Sequence, residues 1–166
     1  MKILIVSDTH RKDDNLYRVM REQAPLDMLI HLGDAEGSEY QIASRVNEGC
    51  RVEMVLGNND FFSRLDREIE LELGPHRILL THGHYYNVSL GVEVLRQEAI
   101  ERHCDIAMYG HTHRPFLEVG KDVTILNPGS LSYPRQEGRK PSYMIMEMDE
   151  SGAVQYHTYY LDKEIG

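Results

Sequence analysis

The chain opens with an apolar run of strand length, residues 2–6, that gives way at once to polar positions. Leu16, Val19, Met20 and Ala24 then recur at the spacing of one helix face, with Asp13 or Asp14 placed to cap its start. The cycle repeats, with residues 28–32 as a strand, 39–46 as a helix and 52–56 as a third strand. Strands separated by helices imply a parallel sheet with right-handed connections. Residues 68–73 alternate Glu68, Glu70 and Glu72 with Ile69, Leu71 and Leu73, the pattern of a strand with one wet and one dry face. A buried-type strand over 77–81 follows. Val88, Val92, Leu95 and Ala99 then fall at helical spacing ahead of a strand over 106–109. Beyond it only strand patterns occur, at 116–119, 123–126, 143–148 and 154–160, punctuated by Gly, Pro, Asp or Asn and expected to add antiparallel. With no linker or repeat in between, the expected fold is α/β: a single domain over residues 1–166, two mixed β-sheets packed as a sandwich and flanked by helices.

Composition narrows this picture. A chain of 166 residues that is 41% hydrophobic can bury a core of ordinary size. No stretch approaches the roughly 20 apolar residues of a membrane helix, and the N-terminus runs straight into a strand, so a cytoplasmic protein without membrane contact is expected. Eighteen basic against 27 acidic residues leave a net charge of −9, which disfavours long nucleic acid as a partner. A small phosphate ester stays admissible, because bound divalent cations would dominate the field at their own site. Cys50 and Cys104 have no CxxC spacing and suggest neither a thiolate metal site nor a disulfide framework.

Five polar clusters interrupt the scaffold: Asp8-Thr9-His10, Gly33-Asp34, Gly57-Asn58-Asn59-Asp60, His82-Gly83-His84 and Gly110-His111-Thr112-His113. Each follows an expected strand. In α/β sheets ligands gather beyond the carboxyl ends of strands, so the clusters should converge at one rim. Steps of 26, 24, 24 and 29 residues between Asp8, Asp34, Asn58, His82 and His111 match about one strand-plus-helix unit each. Carboxylate, amide and imidazole donors without thiolate suit Mn²⁺, Fe²⁺, Co²⁺, Ni²⁺ or Zn²⁺ better than Mg²⁺ or Ca²⁺, which favour oxygen shells. Taken singly, Asp8 is as well explained by a capped turn and His82 by a satisfied core histidine; the set together reverses those odds.

The ordered motifs D-x-H, GD, GN-x-D, HGH and GHTH resemble those of the calcineurin-like metallophosphoesterases. The chain length, and Asn127-Pro128-Gly129-Ser130 followed by Pro134-Arg135, resemble the small microbial phosphodiesterase branch, the YfcE-type proteins. The resemblance implies two divalent metal ions, Mn²⁺ first among the alternatives. Asp8, His10, Asp34 and His113 would hold one, Asp34, Asn58, His82 and His111 the other, and Asp34 would bridge. It further implies a phosphodiesterase in which hydroxide between the metals attacks phosphorus, with Asp34, Asn58 and His84 as the catalytic residues and a small phosphate ester as substrate. A non-catalytic interaction scaffold and a nucleotide phosphodiesterase or nuclease are the competing readings, and self-association as a homo-oligomer is left open.

The sequence departs from the wider family at Asn59. Many larger relatives carry there a histidine that protonates the leaving oxygen, and an amide cannot do so, so slow turnover of esters with poor leaving groups is expected. His84 faces the pocket or holds its loop. Asp60 orients Asn59 or caps a turn. Residues 127–130 are expected to present backbone rather than catalytic side chains. Arg135, Phe61 and Phe62 have no assigned role, and His31, His76, His103 and His157 are read as structural.

Overall fold

The computed structural model describes residues 1–162. Its first half is the strand–helix alternation β1 (Lys2–Val6), α1 (Asp14–Gln23), β2 (Met28–His31), α2 (Glu39–Ser44) and β3 (Arg51–Met54). There follow the hairpin β4 (Glu68–Leu73) and β5 (His76–Thr81), helix α3 (Glu93–Glu101), and β6 (Ile106–Met108). The strands β7 (Pro115–Val119), β8 (Thr124–Pro128), β9 (Ser142–Met148) and β10 (Val154–Tyr160) complete the described chain. One sheet runs β10-β9-β1-β2-β3 and the other β4-β5-β6-β8-β7.

Side-chain alternation along β1 explains the layering. Ile3 and Ile5 point into the space between the sheets, where they meet Met28 and Ile30 of β2, Ile78 and Leu80 of β5, Met108 of β6 and Met144 of β9. Leu4 and Val6 point the other way and pack with Leu16, Val19 and Met20 of α1 and Ile42 of α2. On the far side Leu79, Ala107 and Ile125 meet Leu95 and Ala99 of α3. The result is helix, sheet, sheet and helix in four layers. Each fully buried aliphatic side chain contributes roughly 1.5–3 kcal/mol of transfer free energy, so both faces of each sheet stabilise the fold.

Three local expectations are corrected. The last four strands do not all add antiparallel: β8 returns from the edge strand β7 to lie beside β6, and so pairs parallel with β6. The helix expected from Val88 begins only at Glu93, because Asn87 and Gly91 adopt positive φ and a single helical turn over His84–Tyr86 intervenes. Val88 is nonetheless buried against that layer. Helix α1 stops at Gln23, with extended Ala24 ahead of Pro25, and its cap position Asp13 makes no side-chain capping bond. The alternation expected along β4 holds, with Leu71 and Leu73 buried and Glu70 and Glu72 exposed, and on the wet face Glu68 pairs with Arg102 beyond α3 at 2.7 Å and Glu70 with Arg77. No helix among the described residues is long and apolar enough to cross a membrane.

Both sheets carry a parallel set, β1-β2-β3 and β5-β6-β8, whose carboxyl ends open on one rim. The five polar clusters leave the strands at that rim.

Candidate metal centre

The seven residues singled out as donors meet there. Asp8 and His82 are fully buried, Asp34 and His113 nearly so, and His10 and His111 are half-buried. Asp8, His10, Asp34, His111 and His113 all adopt left-handed backbone, a conformation that non-glycine residues take at a cost of order 1–3 kcal/mol and that clusters at functional loops. The loops are fitted so closely that a β-carbon at Gly57 would collide with the Asp34 carboxylate, and one at Gly110 with Ser7 and Asp8.

Three of the four imidazoles are oriented from behind. Nδ1–H of His10 donates to Glu36 (2.8 Å), that of His82 to the Leu32 carbonyl (2.7 Å), and that of His113 to the Tyr133 carbonyl (2.7 Å). These bonds commit Nδ1 as donor and turn Nε2 inward, as is usual for metal-ligating histidines. The Nε2 atoms of His10 and His113 then face each other at 3.2 Å, an approach of lone pairs that needs a proton or a cation nearby. His111 turns its Nδ1 inward, 3.1 Å from Asn58 Oδ1, and the same oxygen lies 3.0 Å from His82 Nε2.

The carboxylates complete the cavity. Oδ2 of Asp8 accepts from Ser7 Oγ (2.6 Å) and the His111 N–H (2.9 Å). Its Oδ1 is buried with no hydrogen-bond partner, and is ringed by Nε2 of His113 at 3.3 Å, His82 at 3.7 Å and His10 at 3.8 Å. Oδ2 of Asp34 stands between His82 (3.4 Å) and His10 (3.8 Å). Two sets of donor atoms are close enough to hold a cation: Asp8, His10 and His113, and Asp8, Asp34 and His82. The first holds three of the four donors expected for one metal and lacks Asp34. In the second Asp8 joins Asp34, so the geometry brings both carboxylates between the two halves of the site, where the family resemblance named Asp34 alone.

The electrostatics speak for a cation as well. Burial alone would lower the His82 pKa, but the Asp34 hydrogen bond and the charges of Asp8 and Asp34 outweigh it and push it up to about 9. Burial raises the Asp34 carboxyl, and the contacts with His82 and Asn59 outweigh that and hold it well below the usual range. Asp8 is lowered despite burial, chiefly by His113. Without metal, a proton on His82 supplies the positive charge that two buried carboxylates require. His111 and His84 move the other way, lowered first by burial and then by the charge on His82.

Of the two roles expected for Asp60, the structure shows the turn-capping one. Asp60 accepts the backbone N–H groups of Asp34 (2.8 Å), Gly57 (2.7 Å) and Glu36 (2.7 Å), tying two loops together. Asn59 donates its backbone N–H to Asp34 Oδ1 (2.8 Å) and its side-chain amide to Oδ2 (3.0 Å). In residues 127–130 the side chains do take part: Asn127 donates to the Gly110 carbonyl (3.0 Å) and Ser130 to the Asp8 carbonyl (2.8 Å). His31, buried beneath the site, accepts from the Gly33 N–H (3.2 Å) and contacts Thr9 Oγ1 (2.9 Å), linking the first two loops. His84 lies beside His82, with ring centres 5.4 Å apart, and its buried Nδ1 has no partner. Phe61 and Phe62 are exposed to solvent. Glu36 and Ser7 were not singled out by the sequence; an acidic residue within the same Gly-Asp-Ala-Glu-Gly loop as Asp34 was the available signal for Glu36.

A mixed oxygen and nitrogen cradle for divalent cations, at the strand ends of an αββα sandwich, defines a metal-dependent phosphoesterase type of site. The sequence profile of the calcineurin-like phosphoesterase superfamily domain matches residues 1–151, and the chain belongs to that family. It is 33% identical to "Probable metallophosphoesterase YsnB" of Bacillus subtilis over 155 residues, 93% of this chain and 88% of that protein. It is 30% identical to "Phosphodiesterase YfcE" of Escherichia coli K12 over 173 residues, covering 90% and 89% of the two chains. Among solved structures, a conserved protein of Streptococcus pneumoniae TIGR4 described as a predicted phosphoesterase superposes with a TM-score of 0.77 at 26% identity, covering 95% of this chain and 97% of that one.

Proposed function

We propose that the chain is a phosphodiesterase that works with two divalent cations, Mn²⁺ first and Ni²⁺, Co²⁺, Fe²⁺ or Zn²⁺ as alternatives. The observation that carries this reading is the orphaned, buried Asp8 Oδ1 facing three inward Nε2 atoms, a cavity shaped for positive charge. Asp8, His10, Asp34 and His113 would hold one cation and Asp34, Asn58, His82 and His111 the other, with Asp34 between them. Such a pair, when bound, supplies a water of lowered pKa and takes up charge developing on the phosphoryl oxygens.

The protein's own residues fix and shield the chemistry. Glu36, Leu32 and Tyr133 hold three imidazoles in the tautomer that ligates. Asp60 and Ser130 fix the loops that carry Asp34 and Asp8. His84, beside His82 and His111, offers a neutral imidazole N–H to a phosphoryl oxygen. Asn59, bonded to Asp34, offers no transferable proton to a leaving oxygen.

Hydrolysis of bis(4-nitrophenyl) phosphate tests the reading. Turnover is expected with added Mn²⁺, abolished by chelation and reduced by about 10²–10³-fold in Asp34→Asn, the order seen when a transition-state electrostatic contact is lost. A folded protein without turnover under any of these metals would leave the interaction-scaffold reading in its place.

A further inference from the structure

Beside the histidines of the site lies a second feature, a cleft of about 510 Å³ bordered by His10, Glu36, His113, Tyr133, Arg135 and Arg139. Its size suits one arm of a small ligand. The backbone anchors both arginines there: the Arg135 N–H donates to the His113 carbonyl at 3.0 Å, and the Arg139 N–H to Gln136 at 2.9 Å with Arg139 in left-handed backbone. Among the described residues neither guanidinium has a hydrogen bond or ion pair. Arg96 and Arg102, by contrast, are held by carboxylates at 2.6 and 2.7 Å. The carboxylate in this cleft, Glu36, is engaged by His10. Two arginines without a partner among the described residues therefore line one cleft beside the candidate centre of a chain whose net charge is −9. Guanidinium groups match planar oxyanions with paired donors, which makes such a pair a site for carboxylate or phosphate.

We infer that this cleft receives a second anionic group of the substrate, so that the preferred ester carries a carboxylate or a further phosphate on one arm. The inference rests on the hydrolase reading for the reacting phosphorus, but the anion site itself stands on Arg135 and Arg139. Tyr133, half-exposed with its ring edge-on to His10 at 5.5 Å, lines the cleft on the side of the candidate centre.

The test compares 4-nitrophenyl phosphodiesters of equal length whose second arm ends in a carboxylate, a phosphate or an uncharged amide, using Mn²⁺-loaded protein. The better anionic arm is expected to exceed the amide by at least ten-fold in kcat/KM, the advantage lying in KM, and its identity names the group recognised. In the double variant Arg135→Gln/Arg139→Gln that ratio is expected to fall to about one, and in the Lys variants to be partly kept. Equal kcat/KM for all three arms, or a preference that survives the double variant, overturns the inference. Calorimetric titration of chelator-treated protein with phosphonoacetate gives a readout free of turnover. Binding weakened at least ten-fold in the double variant supports the anion site even if no ester is hydrolysed, an outcome that would sink the hydrolase reading alone. Equal binding, or none to the wild type, overturns the anion site.

Discussion

The carboxylate of Glu36 accepts a hydrogen bond from Nδ1 of His10 at 2.8 Å, and this contact points Nε2 of His10 at Asp8 and Asp34. Outer carboxylates of this kind set the tautomer and basicity of a ligating histidine, and their loss weakens metal affinity by roughly 10–100-fold. Glu36→Ala is therefore expected to weaken Mn²⁺ binding by that factor with the fold intact. Metal titration followed beside circular dichroism checks it; unchanged affinity would remove Glu36 from the site.

Asp60 offers a sharper structural test. Asp60→Ala leaves the buried N–H groups of Asp34 and Gly57 and the half-buried N–H of Glu36 without acceptors. Each such loss costs about 1–3 kcal/mol, so a loss of 3 kcal/mol or more in denaturant unfolding is expected, together with weaker metal binding. Stability within 0.5 kcal/mol of wild type, roughly the value of an ordinary surface change, would show that these loops do not need the carboxylate.

Asn59 bears on the leaving group. A positioned acid contributes typically 10²–10⁴-fold, and a side-chain amide engaged with Asp34 supplies no such proton. Rates over a series of aryl and alkyl diesters are expected to fall steeply as the leaving-group pKa rises. A flat series would mean that another residue protonates the leaving oxygen.

Most of this site was legible because its donors sit in short motifs that each follow a strand, and the αββα layering makes strand ends converge. Asp8, Asn58 and His113 needed no three-dimensional information beyond that. The supporting contacts were not legible, since they join residues far apart in sequence, such as Ser130 with Asp8 or Tyr133 with His113. Carbonyl acceptors leave no mark on side-chain identity. The parallel placement of β8 escaped for a similar reason: a hairpin signal between β7 and β8 fixes their own antiparallel pairing but not which strand lies on the other side. The helix expected from Val88 starts late, after Asn87 and Gly91, because periodicity at Val88 and Val92 records burial, which a turn supplies as well.

His76, remote from the rim, ties three segments together. Its Nδ1 meets Asp105 at 2.6 Å and its Nε2 the Gly152 carbonyl at 2.5 Å, and these contacts outweigh burial and raise its pKa above the ordinary value. A histidine whose folded pKa exceeds its unfolded one stabilises fully below about pH 6.5, and that stabilisation is lost as pH rises through the folded value. Denaturation midpoints of wild type and His76→Gln are thus expected to differ most at pH 5.5 and to converge by pH 9. A difference that grows with pH would contradict the assignment.

The metal pair is tested most directly by counting ions. Mn²⁺ titration of chelator-treated protein, read by calorimetry, is expected to show about two equivalents per chain for wild type, as a dinuclear site requires. Asp34→Asn, with an unchanged circular dichroism spectrum, is expected to lose at least one of them. No Mn²⁺ bound by the wild type, or the same stoichiometry and affinity in the variant, would contradict a dinuclear centre built on Asp34.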